Sequence, residues 1–178
     1  YIADRTELPI ILYNVPSRTG VSFTAETYQI LAKNPKINGV KEASGNLNLI
    51  THTRYLCGDD FYIWSGNDDQ VVPMMSLGAK GVISVVANID PELMVNITHL
   101  CLDGKFEEAS RLQLAYMDLI DALFCEVNPI PVKAALNLMG RDVGGLRLPL
   151  CDISPANLEV LRAAMVRTGL LPASDANQ

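Results

Sequence analysis

The feature that most constrains this chain is a rhythm. Four short β-rich runs, Pro9 to Tyr13, Asn38 to Lys41, Phe61 to Trp64 and Gly81 to Val85, alternate with stretches whose apolar positions recur at helical spacing, Thr24 to Asn34, Leu47 to Leu56 and Asp68 to Leu77. A strand that returns to its sheet through a helix lies parallel to its predecessor, with a right-handed crossover. The alternation therefore predicts an α/β fold with a parallel sheet. Asn46 and Asn67 stand where they can cap the second and third helices. Beyond Val85 the strand pattern stops. Pro91 to Leu102, Lys105 to Phe124, Pro131 to Met139 and Ser154 to Thr168 read as amphipathic helices, with breaks at Asp103-Gly104, Asn128-Pro129 and Gly144-Gly145. The division expected is a β/α part over residues 1–102, a helical region over 103–171 and a frayed polar tail over 172–178.

Parallel β/α wiring serves two architectures, an open doubly wound sheet or a barrel. No Gly-x-Gly-x-x-Gly turn follows any of the strands, so the backbone cradle for a pyrophosphate is missing and a barrel segment is favoured.

Charge and composition remove several function classes. A net charge of −6, with basic residues scattered among acids, does not suit a phosphate backbone, so no nucleic-acid partner is expected. No apolar run is long enough for a membrane span. Cys57, Cys101, Cys125 and Cys151 lie far apart without a Cys-x-x-Cys pair, which suits a reducing cytoplasm. His52 and His99 stand in helical patterns without a partner at ligand spacing, so no metal is expected. Asn67-Asp68-Asp69 reads as acids at a helix start. Tyr1 to Glu7 reads as the end of a helix, and the chain is expected to continue a longer polypeptide.

In β/α barrels the reactive groups stand at the carboxyl ends of the strands. That rule separates the lysines. Lys41 closes the run Gly39-Val40-Lys41 ahead of the turn Glu42 to Asn46, Lys80 precedes its strand, and Lys33, Lys36, Lys105 and Lys133 fall on helices or turns where a solvated ammonium is expected. An amine turned into a barrel loses solvation, which pushes its pKa down from about 10.4 and frees it to attack a carbonyl. Snorkelling to solvent or pairing with Glu42 are the alternatives open to it. Tyr13 ends the neighbouring strand, close enough for proton relay or for packing at the rim. Arg18 stands in a loop stiffened by Pro16 and Gly20, where its fork suits a carboxylate or a surface ion pair. Ser65-Gly66-Asn67 and Gly81 to Ser84 supply small residues at the other two strand ends.

Read together, YNVPSRTG from Tyr13, KEASGN from Lys41, SGND from Ser65, GVISVVAN from Gly81, NPIPVK from Asn128 and LRLPL from Leu146 resemble the signatures of the dihydrodipicolinate synthase family of pyruvate-dependent class I lyases. The resemblance implies the last four β/α units of a TIM (β/α)8 barrel, its C-terminal half, followed by a helical extension. It also implies a catalytic pair, Lys41 forming an imine with pyruvate and Tyr13 relaying protons. Arg18 would hold the carboxylate of aspartate 4-semialdehyde, and Gly66 and Ile83 would line the pocket. No cofactor is implied beyond the covalent pyruvate imine, and the expected assembly is a cytoplasmic homotetramer in lysine biosynthesis. Related lyases acting on N-acetylneuraminate or 2-keto-3-deoxy sugar acids share Tyr and Lys but look different at Ser17-Arg18. A non-catalytic half-barrel that acts by association is the remaining alternative. The family's first four β/α units, with a Gly-Thr-Thr stretch of the proton relay, have no counterpart here, so the chain alone is expected to be inactive.

Overall fold

A computed structural model describes residues 1–173. Strand β1 (Ile10–Asn14) runs into a single helical turn, α1 (Pro16–Thr19), and then α2 (Ala25–Leu31); β2 (Ile37–Glu42), α3 (Leu47–Cys57), β3 (Tyr62–Ser65) and α4 (Val71–Ser76) continue the alternation. The strands make one parallel sheet in the order β1-β2-β3, with β2 in the middle. Side-chain oxygens start the helices. Thr24 accepts from the Thr27 amide at 3.3 Å and Asn46 from the Leu49 amide at 3.1 Å. Pro16 occupies the first turn of α1, where no backbone donor is needed.

The fourth run does not form the expected strand. Val82 alone bridges to Ser65, supported by bonds of 2.9 Å from the Ser65 amide to the Gly81 carbonyl and from the Ile83 amide to the Ser65 carbonyl. By Val85 the backbone has already turned helical, so no ladder develops. Asp68 to Leu77 is also less regular than its spacing predicts. A 3-10 turn over Asp68–Gln70 precedes α4, and the Asn67 side chain makes no capping bond there. The N-terminal segment is a 3-10 turn at Ala3–Arg5, and the Lys36 ammonium is not left to solvent. It donates to the carbonyls of Ala3 and Thr6 at 2.8 and 2.7 Å.

Strand alternation gives the sheet two chemically different faces. Asn14, Val40, Glu42, Ile63 and Ser65 point to one side and are buried, with Tyr28 of α2 packed among them and ring contacts from Tyr28 to Phe23 and Phe61 at 5.2 and 5.9 Å. Ile11, Tyr13, Lys41, Tyr62 and Trp64 occupy the alternate positions and are exposed or half-buried.

Tyr28 is fully buried, and burial, followed by the charge of Glu42, raises its phenol far above the usual value of 10.0. An acid whose folded pKa is raised contributes stability that is complete below the unfolded pKa and is lost as pH rises beyond it. Stability is therefore expected to fall above about pH 10 by up to roughly 1.4 kcal/mol per pH unit. Denaturant midpoints between pH 9 and 12 should fall less steeply in Tyr28→Phe than in the wild type.

The chain divides into two compact units, Tyr1–Ser84 with Ile97–Ala109, and Val85–Asn96 with Ser110–Gln178. Helices α5 (Pro91–Leu102) and α6 (Phe106–Ala115) each begin in one unit and end in the other. The single helix expected over Lys105 to Phe124 breaks at Tyr116, whose backbone leaves the helical region, and α7 (Met117–Leu123) begins there. In the second unit α7, α8 (Ile130–Leu138) and α9 (Pro155–Arg167) bury Leu119, Leu123, Ala135, Leu161 and Met165. The Glu126 carboxylate starts α9 by accepting from the Ser154 amide and hydroxyl and from the Asn157 amide group at 2.8–2.9 Å; these bonds, that from Asn157 first, hold its carboxyl below the ordinary value. Lys133 donates to the Gly145 carbonyl at 2.5 Å in an exposed hydrogen bond. The expected frayed tail falls mostly outside the described residues.

Among the described residues no helix is long and apolar enough to cross a membrane, and no group of three His, Cys, Asp or Glu side chains stands ready to hold a metal ion. All four cysteines are free thiols, and burial pushes those of Cys57 and Cys101 up.

Candidate active site

Parallel pairing of β1 with β2 sets Tyr13 beside Lys41, and pairing of β2 with β3 sets Lys41 beside Trp64. All three side chains share the open face at the carboxyl end of the sheet. The Lys41 ammonium lies 4.4 Å from the centre of the Tyr13 ring, within cation–π range. Lys41 is half-buried and Tyr13 is 50% exposed, so a small molecule has access to both.

Glu42 does not neutralise Lys41. As the next residue along β2 it points to the other face, where its carboxylate accepts from Asn14 Nδ2 at 2.9 and 3.1 Å, Tyr28 Oη at 2.8 Å and the Ser44 amide at 2.9 Å. Of the two alternatives open to the amine, the ion pair with Glu42 is removed.

Residue 66 has no side chain, which lets its backbone pack directly against Ala43 and the Lys41 side chain. A Cβ built on Gly66 would stand 2.6 Å from Ala43 Cβ and 3.1 Å from Lys41 Cε. The Gly66 amide donates to the Glu42 carbonyl at 2.8 Å, which continues the β2–β3 ladder past Ser65. Ile83 is held by its amide on the Ser65 carbonyl, and its side chain is 41% exposed. Arg18 stands on α1, just before Gly20, which closes the turn with φ 69°. Its guanidinium is exposed and makes no hydrogen bond or ion pair among the described residues, so the fork is free for an anion, but no contact joins it to Lys41. The sheet thus assembles Tyr13, Lys41 and Gly66, tethers Ile83 through Ser65, and leaves Arg18 separate. A cavity of about 750 Å³ in the second unit, lined by Ile130, Lys133, Asn137, Asp152 and Leu158 among others, includes none of these residues.

Sequence reasoning missed Asn14 and Tyr28 and the buried hydrogen bonds they make to Glu42. A signal existed. Asn14 and Glu42 each follow a candidate catalytic residue in a strand, so alternation puts both on the helix-covered face, where a polar side chain needs a partner.

Fold and site together define a class: α/β proteins that present a primary amine and a phenol at the carboxyl edge of a parallel sheet. Within that class, the chain belongs to the dihydrodipicolinate synthetase family, whose model matches residues 1–167. The 4-hydroxy-tetrahydrodipicolinate synthase of Clostridium novyi (strain NT) is 52% identical over 164 residues, which cover 92% of this chain and 55% of that protein. Among solved structures, the dihydrodipicolinate synthase of Cyanidioschyzon merolae with lysine bound superposes with a TM-score of 0.93 at 45% identity, over 96% of this chain and 58% of the other. The chloride-inhibited dihydrodipicolinate synthase of Acinetobacter baumannii complexed with pyruvate gives 0.91 at 40% identity, over 96% and 58%. The chain spans little more than half the length of the relatives it matches.

Proposed function

We propose that this chain supplies the imine-forming lysine and the proton-relaying phenol of a lyase that condenses pyruvate with aspartate 4-semialdehyde to 4-hydroxy-tetrahydrodipicolinate. The observation that carries the reading is the juxtaposition of Lys41 and Tyr13 on the open face at the sheet's carboxyl end. The free amine of Lys41 attacks the keto carbon of pyruvate and water leaves, giving the imine. Loss of a methyl proton gives an enamine, whose carbon attacks the aldehyde, the aldehyde oxygen taking up a proton to become the hydroxyl; the amino group of the aldehyde substrate then attacks the imine carbon, closing the ring and expelling the Lys41 amine. Tyr13 moves the protons, from a position one strand away. Gly66 and Ile83 shape the space beside the amine, and Arg18 binds the carboxylate of the incoming aldehyde through its paired N–H groups. The chemistry calls for no metal or organic cofactor.

The architecture that goes with this reading is the C-terminal half of a (β/α)8 barrel over residues 1–102, extended by the helical region 103–171. Ile11, Tyr13 and Tyr62, exposed on the sheet's open face, are what the other strands of a barrel would cover. Turnover then requires those strands, a cytoplasmic tetramer is the natural assembly, and the relatives' names and the pyruvate complex of the Acinetobacter baumannii enzyme support the choice of substrates.

The test is reductive trapping. The polypeptide carrying this chain, incubated with pyruvate and borohydride, should gain the mass of a reduced pyruvyl group on the peptide that contains Lys41. In a separate assay with pyruvate and no borohydride, aspartate 4-semialdehyde should be consumed faster than a sugar-type aldehyde. No adduct at Lys41 would overturn the reading.

A further inference from the structure

The two residues that follow Tyr13 and Lys41 form a second constellation on the back of the same strands. Asn14 pairs with Glu42 in the register step after Tyr13 with Lys41. Glu42 is 2% exposed, Asn14 is 1% and Tyr28 is fully buried. Both carboxylate oxygens are engaged: Asn14 Nδ2 reaches both, the Ser44 amide donates to Oε1 and Tyr28 Oη to Oε2. No cation is among these partners. Burying a carboxylate in this way is costly, and a purely structural requirement at the site would be met as well by apolar groups of the same shape.

The pieces of backbone that these bonds join are the ones that matter for the open face. Asn14 brings the end of β1, and with it Tyr13. Ser44 brings the turn that follows Lys41. Tyr28 brings α2. Asn14 also reaches the segment after Arg18, since its Oδ1 accepts from the Phe23 amide at 3.3 Å and its Nδ2 lies 3.2 Å from Ser22 Oγ. One buried carboxylate therefore gathers the chain segments that carry all three proposed reactive groups, while touching none of their side chains.

We infer that Glu42 is a positioning residue for the Lys41 amine, acting from the back of the sheet through Asn14, Tyr28 and the Ser44 amide. The inference rests on the imine-forming reading given above. Glu42→Gln keeps the shape but turns an NH2 group toward donors, so Asn14 or Tyr28 must move, and Tyr13 and Lys41 move with their strands. A displacement of about 1 Å at a reacting group can cost on the order of 10²-fold in rate.

The experiment is the kinetics of borohydride trapping with pyruvate in the polypeptide that carries this chain, read as a maximal rate and a half-saturating pyruvate concentration, alongside thermal unfolding. Glu42→Gln should lower the maximal rate by about tenfold or more and leave the half-saturating concentration within about twofold. Tyr28→Phe removes one donor and touches nothing on the open face. It should lower the same rate by a smaller factor, and it decides the matter if Glu42→Gln does not fold. A wild-type maximal rate in folded Glu42→Gln, or in Tyr28→Phe where the first variant is unfolded, overturns the inference and leaves the imine reading intact. So does a loss spread equally over rate and half-saturation in step with melting temperature, which is what a merely structural residue gives. Trapping that persists in Lys41→Ala, or an unlabelled wild type, overturns the imine reading and this inference with it.

Discussion

Replacing Lys41 with alanine should reduce pyruvate trapping by at least about 10³-fold, to the level of a control without pyruvate. The size of the effect follows from geometry. Lys36 lies just before β2, at the opposite end from Lys41, and is already engaged by two carbonyls; Lys80 sits beyond β3, its amide on the Ile63 carbonyl at 2.8 Å and its side chain exposed. The Tyr13 phenol beside Lys41 cannot form an imine. Lys41→Arg is the sharper variant, because it keeps a cation that can sit over the Tyr13 ring but cannot lose a proton to attack a carbonyl. It should be as inactive as the alanine variant, whereas Lys80→Ala, at an exposed position, should trap pyruvate at the wild-type rate. Adduct mass mapped to peptides decides among these outcomes, and label on any lysine other than Lys41 would remove the site as drawn.

The second large effect is on stability. Gly39→Ala should destabilise the chain by about 3 kcal/mol. Gly39 lies in the central strand, paired to Ile11 on one side and Tyr62 on the other. An added Cβ would stand 2.0 Å from the Tyr62 carbonyl oxygen, 2.7 Å from its carbon and 3.0 Å from Trp64 Cζ3. Two of those atoms are backbone and cannot rotate away, so relief requires β2 and β3 to part. Against a total stability of about 5–15 kcal/mol the loss is a large fraction. A lower denaturant midpoint at unchanged slope is the expected reading, and a midpoint equal to that of the wild type would show that the strands yield at little cost.

The parts legible in the sequence were those governed by local periodicity. The first three strand–helix alternations, their parallel sense and the Asn46 cap follow from patterns of two and 3.6 residues, and so does the position of Lys41 at a carboxyl end. The fourth strand did not follow. Gly81 to Ser84 has the β-rich composition, but its ladder depends on what lies beside it, and only Val82 finds a partner in Ser65. The lysine at 36 was misjudged because the carbonyls it binds lie 33 and 30 residues away, beyond any local pattern. The Glu42 cluster joins residues 14, 28, 42 and 44, and only the register of β1 on β2 shows that they meet.

The alternation of Lys41 and Glu42 along β2 also limits how this strand can change through mutation. Insertion or deletion of a single codon upstream of Lys41 within the strand would trade the two side chains between faces. The ammonium would enter a pocket built from donors, and the carboxylate would take the solvent side beside Tyr13. Both errors arise at once and no single substitution repairs them, so length variation of this kind should be lethal to the site. A codon gained at Gly45 or Asn46, past the Ser44 amide that closes on Glu42, leaves the order of faces untouched. Descendants of this sequence can therefore lengthen the turn after β2, but not the strand itself.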